Sequence, residues 1–225
     1  MELSENTLTV LKNFASINQN LLVQEGNVLR TMSEARNVMA RADVTEQFEH
    51  KFGVYDLNEF ISSLDLVDKP RLKFEDEYVV IGDSTGRSQV KYFFSPEETL
   101  TSPSKDIKMP DTELEFELTS DTLNKLKKAA STLGHNEVLM TESNGVLKLS
   151  VVENQNSTSN AFSIDVPTTI LPGVPFQFIM GIGNLKIIPG DYKVGISSKL
   201  ISNFVHKELG VQYWIALEKS STYGA

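Results

Sequence analysis

The feature of this 225-residue chain that most limits its fold is an internal repeat. Residues 3–16 return 115 positions later as residues 118–131, with seven identities in 14 positions. The identical residues of the first copy are Leu3, Thr7, Leu8, Leu11, Lys12, Ala15 and Ser16. Because the spacing equals about half of the chain, we predict one structural unit used twice. A chance likeness between two amphipathic helices is the alternative.

A proline-rich stretch lies between the two copies. Three of the eight prolines fall between residues 96 and 110, among serine, threonine and charged residues. Proline removes a backbone donor and interrupts both helices and central strands, so the stretch is typical of an extended connector. The prediction is an N-terminal domain over residues 1–95, a connector over residues 96–112 and a C-terminal domain over residues 113–225.

Each half of the sequence predicts the same kinds of elements. Apolar residues at helical spacing predict two helices in each half. The predicted helices cover residues 5–15, 56–64, 121–133 and 179–186. Gly134 is a helix stop signal, and Asn144-Gly145 is typical of a tight hairpin turn. Short strands in succession favour antiparallel pairing, so we predict an α+β fold in both halves.

The composition excludes several classes of protein. The chain has no cysteine, which excludes disulfides and thiolate chemistry and favours a reducing, cytosolic compartment. Its net charge of −9 excludes a protein that coats nucleic acid by bulk positive charge, although a local basic surface is compatible with an acidic body. The N-terminus lacks a signal-peptide pattern, and the most apolar stretch, residues 170–183, is short and contains two prolines. We therefore expect no membrane segment.

Sequence motifs for catalysis are weak. Residues 82–86 match the G-x-S-x-G pattern of a hydrolase nucleophile, with Ser84 at the centre. That motif needs a strand before it and a helix after it, whereas residues 89–94 alternate like a strand, so we predict a hairpin loop. The three histidines lie far apart and lack metal-ligand spacing. We therefore expect no catalytic residue, no metal site and no cofactor.

Positive charge is concentrated on one predicted helix of the second half. Lys125, Lys127 and Lys128 lie close together in an otherwise acidic chain. A helical wheel places Lys128 opposite the apolar stripe, Lys125 near it and Lys127 at the border of the stripe. This pattern fits contact with phosphates without reading of bases. It equally fits a solvated helix face with lysines towards its C-terminus.

The duplicated helix, the proline-broken connector and three short segments follow one another in a characteristic order. The segments are YDLNEF at residues 55–60, PGDYK at residues 189–193 and YWIALE at residues 213–218. Over the whole chain, their order and spacing resemble the trimeric DNA sliding clamp of large tailed bacteriophages.

The resemblance implies a closed homotrimeric ring with two similar clamp-type domains per chain, antiparallel sheets outside and four helices per chain lining the hole. It implies that the ring encircles double-stranded DNA without sequence preference and tethers the replicative DNA polymerase, which makes synthesis processive. In this family an ATP-driven clamp loader opens and closes the ring, and the clamp can also act in late transcription. Such a protein is non-catalytic and would act in the cytoplasm of the infected bacterial host.

The resemblance also implies which residues meet the partners. The expected DNA-facing residues are Lys12, Lys125, Lys127, Lys128 and Lys186. The family docks its partners in an apolar pocket on the outer face. For that pocket we expect Ile107 and Met109 of the connector, against strands of the C-terminal domain.

The other predicted helices add little positive charge. The first places Val10 and Asn13 opposite its buried face, with Lys12 at the border. The second presents Glu59 to solvent, and the fourth carries Lys186 in its last turn. We therefore expect the charge facing DNA to come mainly from the second half.

Two other functions are open on the sequence alone. A duplicated α+β structural or scaffold protein of a phage particle would share the fold and never meet DNA. A hydrolase would need Ser84 as its nucleophile and is the weaker alternative, because the motif lacks its structural context.

Overall fold

The structure, a computed structural model, describes residues 1–103, 105, 107–153 and 158–224. The chain divides into two compact units, Met1–Asp106 (unit 1) and Ile107–Ala225 (unit 2). Positions 104 and 106 of the predicted connector lie outside the described residues.

The described part of unit 1 contains two α-helices and seven strands. The elements are α1 (Glu5–Ile17), β1 (Leu21–Val23), β2 (Gly26–Met32), β3 (Val38–Phe48), β4 (Phe52–Val54), α2 (Leu57–Leu64), β5 (Arg71–Phe74), β6 (Tyr78–Gly82) and β7 (Gln89–Phe93). Strand β1 pairs with β4, β2 pairs with β3, and β6 lies between β5 and β7, all antiparallel. Helix α1 contacts α2 and β3, so both helices belong to one layer beside the strands.

Unit 2 has one α-helix and ten strands among its described residues. The elements are β8 (Leu114–Leu118), α3 (Ser120–Leu133), β9 (Glu137–Ser143), β10 (Val146–Val152), β11 (Phe162–Val166), β12 (Thr168–Ile170), β13 (Phe176–Gly181), β14 (Tyr192–Ser197), β15 (Ile201–His206), β16 (Val211–Ala216) and β17 (Thr222–Tyr223). The strands form two antiparallel arrays, in the orders β11-β10-β9-β13-β17 and β12-β8-β14-β15-β16. Helix α3 contacts β10 and β11.

Each unit has its own apolar core. The largest fully buried side chains are Phe14, Leu21, Leu29, Leu57 and Ile81 in unit 1, and Leu114, Leu123, Leu126, Leu147, Phe178, Tyr192 and Tyr213 in unit 2. Helices on one side of antiparallel strands bury these residues in both units. The predicted α+β fold is therefore confirmed.

The repeated sequence begins both long helices in the same way. The Ser4 hydroxyl accepts a hydrogen bond from the Thr7 backbone N–H at 3.2 Å, and the Thr119 hydroxyl accepts one from the Thr122 backbone N–H at 3.2 Å. In each pair the first hydroxyl also donates to the second, at 3.1 Å and 3.0 Å. These side chains satisfy backbone donors that a helix start leaves unpaired. The two copies therefore share the geometry of their caps as well as their sequence.

A buried carboxylate fixes the start of α1. Glu46 lies on the inward-facing side of β3. The residues two positions before and after it on the same strand, Val44 and Phe48, are apolar and buried. Its carboxylate accepts hydrogen bonds from the Ser4 backbone N–H and the Thr7 hydroxyl. Burial by itself would raise the pKa of Glu46, but these hydrogen bonds outweigh it and hold the pKa below its usual value.

The predicted helix over residues 179–186 is wrong. Ile179 and Met180 belong to β13, which pairs with β9, and only a 3-10 turn, Ile182–Asn184, follows. Gly181 and Gly183 lie in this short stretch, and glycine disfavours helix. Both Ile179 and Met180 are buried in the strand, so the apolar run reflects a covered sheet.

The cap of α1 gives a prediction about stability and pH. Replacing Glu46 by Gln removes the charge that the hydrogen bonds stabilise, and we expect a cost of about 1–2 kcal/mol at pH 7. Because the folded-state pKa of Glu46 is lowered, its stabilising effect is complete above the ordinary glutamate pKa of about 4.3 and is lost as the pH falls through the folded value. Calorimetric unfolding of Glu46→Gln and the parent chain at pH 7 and at low pH measures this difference.

Glu49→Gln is the matched control, because Glu49 is exposed just beyond the end of β3. Its unfolding should stay close to that of the parent chain at both pH values. An equal loss of stability in both variants, or a loss for Glu46→Gln that persists at low pH, would contradict this account of the cap.

Candidate nucleic-acid interface

Helix α3 is anchored at its first turn by a carboxylate from another element. The Asp191 Oδ1 atom accepts a hydrogen bond from the Ser120 backbone N–H at 2.8 Å, beside the hydroxyl cap of Thr119. Negative charge at a helix N-terminus is favourable, because the helix dipole is positive there. Asp191 therefore fixes where the helix begins, much as Glu46 does in unit 1.

The chain around Asp191 is held by aromatic packing. A Cβ atom at Gly190 would lie 2.1 Å from the His206 Nε2 atom, so only glycine fits against that ring. Tyr192, which follows Asp191, is fully buried, and its hydroxyl donates a hydrogen bond to the Ile188 carbonyl. Burial raises the pKa of Tyr192, which keeps the hydroxyl protonated as a donor. This packing explains the PGDYK segment as the support for the carboxylate that caps α3.

The outer face of α3 carries charges in a regular pattern. Asp121, Lys125 and Lys128 are exposed, whereas the buried side of the helix consists of Leu123, Leu126 and Ala130. The lysines therefore lie on the solvent side, as the helical wheel predicts. They are presented to solvent by an amphipathic helix whose apolar stripe is fixed in the core.

The exposed lysines differ in their surroundings. The Lys125 Nζ atom lies 2.6 Å from Asp121 Oδ2, one helical turn earlier, so its charge is partly balanced within the helix. For Lys128, no carboxylate oxygen lies within 4 Å in the part of the chain that the structure describes. Lys128 is therefore the exposed α3 lysine whose charge is least balanced by its surroundings.

Lys127 lies at the border between the core and solvent. It is partly buried, and burial lowers the pKa of its ammonium group. It lines a shallow groove of about 380 Å³ together with Ser131, His135 and Asn136. An anion entering this groove would favour the charged form of the lysine.

Helix α1 places one lysine at the middle of its exposed face. Lys12 is exposed together with Glu5, Thr9 and Ser16, at helical spacing. The prediction that Val10 faces outward is wrong, because Val10 is 5% exposed and packs in the core. The buried stripe is therefore rotated relative to the predicted one, which moves Lys12 from the border to the centre of the outer face.

The remaining predicted positions carry little positive charge. Helix α2 exposes Asn58, Glu59 and Ser62, as predicted for Glu59. Lys186 is exposed, but it follows the 3-10 turn and lies on no helix. Within the described residues, the cluster of lysines is therefore on α3.

One of the two connector residues predicted for partner docking lines a cleft. Met109 borders a cleft of about 470 Å³ in unit 2, with Phe116, Val194 and Val205 among its lining residues. Lys193 and two acidic residues of β8 provide polar groups around it. Ile107 is partly exposed and does not line this cleft.

The G-x-S-x-G segment forms a turn between β6 and β7, as predicted. The Asp83 carboxylate accepts hydrogen bonds from the Thr85 hydroxyl and the Thr85 and Arg87 backbone N–H groups. Ser84 is exposed at the tip, and a strand follows where a nucleophile motif requires a helix. Among residues 1–103, 105, 107–153 and 158–224, no group of three or more acidic, histidine or cysteine residues is arranged to hold a metal ion.

None of the helices in the described ranges has both the length and the apolar character needed to cross a membrane.

Comparison with known proteins gives a consistent result. The family model described as "gp45 sliding clamp, C terminal" matches residues 115–219. Curated relatives named "Sliding clamp" include those of Vibrio phage KVP40, 34% identical over 97% of this chain and 99% of that protein, and Escherichia phage RB69, 30% identical over 99% of both. The sliding clamp of Enterobacteria phage T4 is 27% identical over 99% of both chains.

A solved structure shares the fold at low sequence identity. It is the crystal structure of Proliferating Cellular Nuclear Antigen from Entamoeba histolytica, with a TM-score of 0.67 and 13% identity over 95% of each chain.

Sequence reasoning missed the two carboxylates that fix the helix starts. Glu46 could have been found, because it is an acid at an apolar position of an alternating strand. Asp191 gives no local signal, since its partner, Ser120, lies 71 residues away. The ion pair of Lys125 was readable from the four-residue spacing to Asp121.

The anchor of α3 gives a second prediction. Replacing Asp191 by Ala removes the acceptor for Ser120 and a negative charge at the helix start, while Thr119 stays in place. We expect a cost of about 1 kcal/mol, felt mainly in the first turn of α3. Hydrogen exchange measured by mass spectrometry on peptides covering this turn should be roughly fivefold faster.

Asp111→Ala provides the control, since Asp111 is an exposed acid of the same unit before β8. It should leave exchange in the first turn of α3 unchanged. If Asp191→Ala exchanges like the parent chain, Asp191 does not anchor the helix.

Proposed function

The chain belongs to the sliding clamp family of phages, and from this membership we propose that it forms a closed homotrimeric ring around duplex DNA. The ring tethers the replicative DNA polymerase to its template and makes synthesis processive. The protein itself is non-catalytic. The single structural observation that supports this function is the basic outer face of α3 on a chain with a net charge of −9.

A ring does not need a strong grip on DNA. A protein that holds DNA by charge must neutralise many phosphates, and its affinity then depends steeply on salt. A closed ring is retained on DNA by topology, so a few lysines suffice to offset the repulsion between the acidic protein and the DNA phosphates. Weak contacts without base recognition leave the ring able to slide.

The lysines take different parts in this contact. Lys128, whose charge is least balanced, gives the main contact with the phosphate backbone. Lys125 shares its charge with Asp121, and Lys127 gains charge stabilisation when a phosphate approaches its partly buried ammonium group. Lys12 and Lys186 add weaker contacts, because each is a single exposed lysine outside α3.

Ring closure joins the edge strands of neighbouring chains. Strand β7 ends one sheet of unit 1 and β11 ends one sheet of unit 2, and both have five residues. An uncovered sheet edge invites pairing with another chain, and Phe93 on β7 is 59% exposed. Pairing β7 of one chain with β11 of the next in a head-to-tail order covers both edges and closes a ring.

Partners reach the ring from its outer surface. The cleft beside Met109 offers an apolar floor with polar groups around it, which suits a short peptide of the polymerase or of an ATP-driven clamp loader. Ile107 lies two residues before Met109 and would contact the same partner at its margin. Late-transcription factors are further candidates for this cleft. The protein acts in the cytoplasm of the infected bacterial host.

The alternative of a structural phage protein that never meets DNA has no support, because the curated relatives are named sliding clamps. The hydrolase alternative fails because Ser84 lies in a turn between two strands, whereas a nucleophile motif requires a helix after the serine.

A charge reversal tests the role of α3 in processive synthesis. Lys128→Glu places a negative charge where the phosphate backbone passes, so we expect the length of DNA made per polymerase binding event to fall several-fold. The effect should grow as salt is lowered, because exposed charges are then less screened. Primer extension with polymerase, clamp loader and a trap for released polymerase measures this length.

Lys199→Glu makes the same charge change on an exposed turn between β14 and β15 of the same unit. It should leave the product length near that of the parent chain, and sedimentation should show the same assembly for all three proteins. Equal effects of the two reversals would argue against a DNA-facing role of α3.

A further inference from the structure

A groove in unit 1 lies beside the start of the first copy of the internal repeat. The groove has a volume of about 440 Å³ and lies between the start of α1, the end of α2 and β5. Leu3, Leu8 and Leu64 supply apolar surface, and Lys69, Arg71 and Ser84 supply polar groups. It shares no lining residue with the cleft beside Met109.

The internal repeat shows that this apolar surface is unusual. Leu3 and Leu8 correspond to Leu118 and Leu123 of the second copy. Leu118 and Leu123 are 3% and 1% exposed, whereas Leu3 and Leu8 are both partly exposed. The same two leucines are therefore covered in one unit and left partly open in the other.

In unit 2 a buried tyrosine, Tyr192, is the cross-strand neighbour of the first of these leucines. In unit 2, Val194 pairs with Phe116, and Tyr192, two residues earlier, pairs with Leu118. In unit 1, Leu72 exchanges both backbone hydrogen bonds with Met1, the counterpart of Phe116. Two residues before Leu72 stands Pro70, which lines the groove where unit 2 has a buried tyrosine ring.

Unit 1 also lacks a counterpart of the His206 ring, which packs beside Tyr192 in unit 2. The Tyr192 ring packs edge-on against His206 at a centroid distance of 4.9 Å, and these two residues are paired between β14 and β15. Arg71 pairs with Gly82, so the corresponding position in unit 1, opposite Pro70, is Asp83. The Asp83 carboxylate accepts hydrogen bonds from Thr85 in its own turn, and Asp83 does not line the groove.

Leu66, two residues beyond the end of α2, is a further apolar side chain that unit 1 exposes, at 73%.

The charges at the groove select its occupant. Lys69 is exposed, and none of the described carboxylates lies within 4 Å of its ammonium group. Arg71 is already paired, since its Nε atom lies 2.7 Å from Glu2 Oε1. Ser84 adds an exposed hydroxyl. The groove thus offers an unbalanced ammonium group beside apolar surface, which complements a carboxylate attached to an apolar group.

We propose that this groove of unit 1 is a second docking site, which binds a partner's peptide segment carrying an aromatic side chain next to a carboxylate. The aromatic ring takes the place that Tyr192 holds in unit 2 and covers Leu3 and Leu8. The carboxylate pairs with Lys69.

Small probes test the site on the full chain in the absence of DNA, so the result does not depend on clamp function. N-acetylphenylalanine carries a ring beside a carboxylate, its amide lacks the charge, and N-acetylalanine lacks the ring. With methyl-labelled leucines, NMR titration of N-acetylphenylalanine should shift the methyl signals of Leu3, Leu8 and Leu64 in a saturable way. The amide and N-acetylalanine should bind at least severalfold more weakly.

Lys69→Glu should weaken N-acetylphenylalanine binding roughly threefold to fivefold, as expected for an exposed ion pair. Lys73→Glu makes the same charge change on β5 outside the groove, where Lys73 is paired with Glu75, and should leave binding unchanged. Unshifted groove methyl signals, equal binding of all three probes, or equal effects of the two substitutions would each overturn the proposal.

Discussion

The structure depends on carboxylates that fix the starts of helices on a sheet scaffold. Glu46 holds α1 and Asp191 holds α3, in each case through a backbone N–H group of the first turn or the cap. A helix anchored in this way cannot rotate without losing both the carboxylate contact and its apolar stripe. The side chains on its far face are therefore presented in a fixed direction. For α3 these side chains include Lys125 and Lys128, so the anchor of one end of the helix determines which charges meet the solvent.

An acidic protein can hold DNA when retention is topological. The chain carries 30 acidic residues against 21 basic ones, which would oppose binding by overall charge. The lysines of α3 act over a distance of about one Debye length, roughly 8 Å at physiological salt, so the local field outweighs the net charge there. In the proposed ring, the exposed acidic residues Glu5 of α1 and Glu59 of α2 would keep the contact with DNA weak. Weak contact is an advantage for a ring that must move with a polymerase.

The sequence predicted much of the fold, because its signals are local. Gly134, in its left-handed conformation at the end of α3, and the turn at Asn144-Gly145 both follow from nearby residues. The helix predicted over residues 179–186 failed because a buried strand and a helix share the same apolar run. The predicted orientation of α1 was wrong because Val10 is buried and Leu8 is partly exposed, the reverse of the prediction. Packing of α1 against α2 and β3 sets this difference. The anchor at Asp191 lies beyond local reasoning, since it joins residues far apart in sequence.

The most direct test of encirclement is the fate of loaded protein when a DNA circle is opened. The chain is loaded by its clamp loader onto nicked circular DNA, the circle is cut once, and the protein that remains bound is measured over time. We expect rapid loss from linear DNA with open ends and retention on linear DNA whose ends are blocked by a bulky protein. Equal retention on circular and open linear DNA would show that the protein grips DNA from outside, and the ring would be wrong.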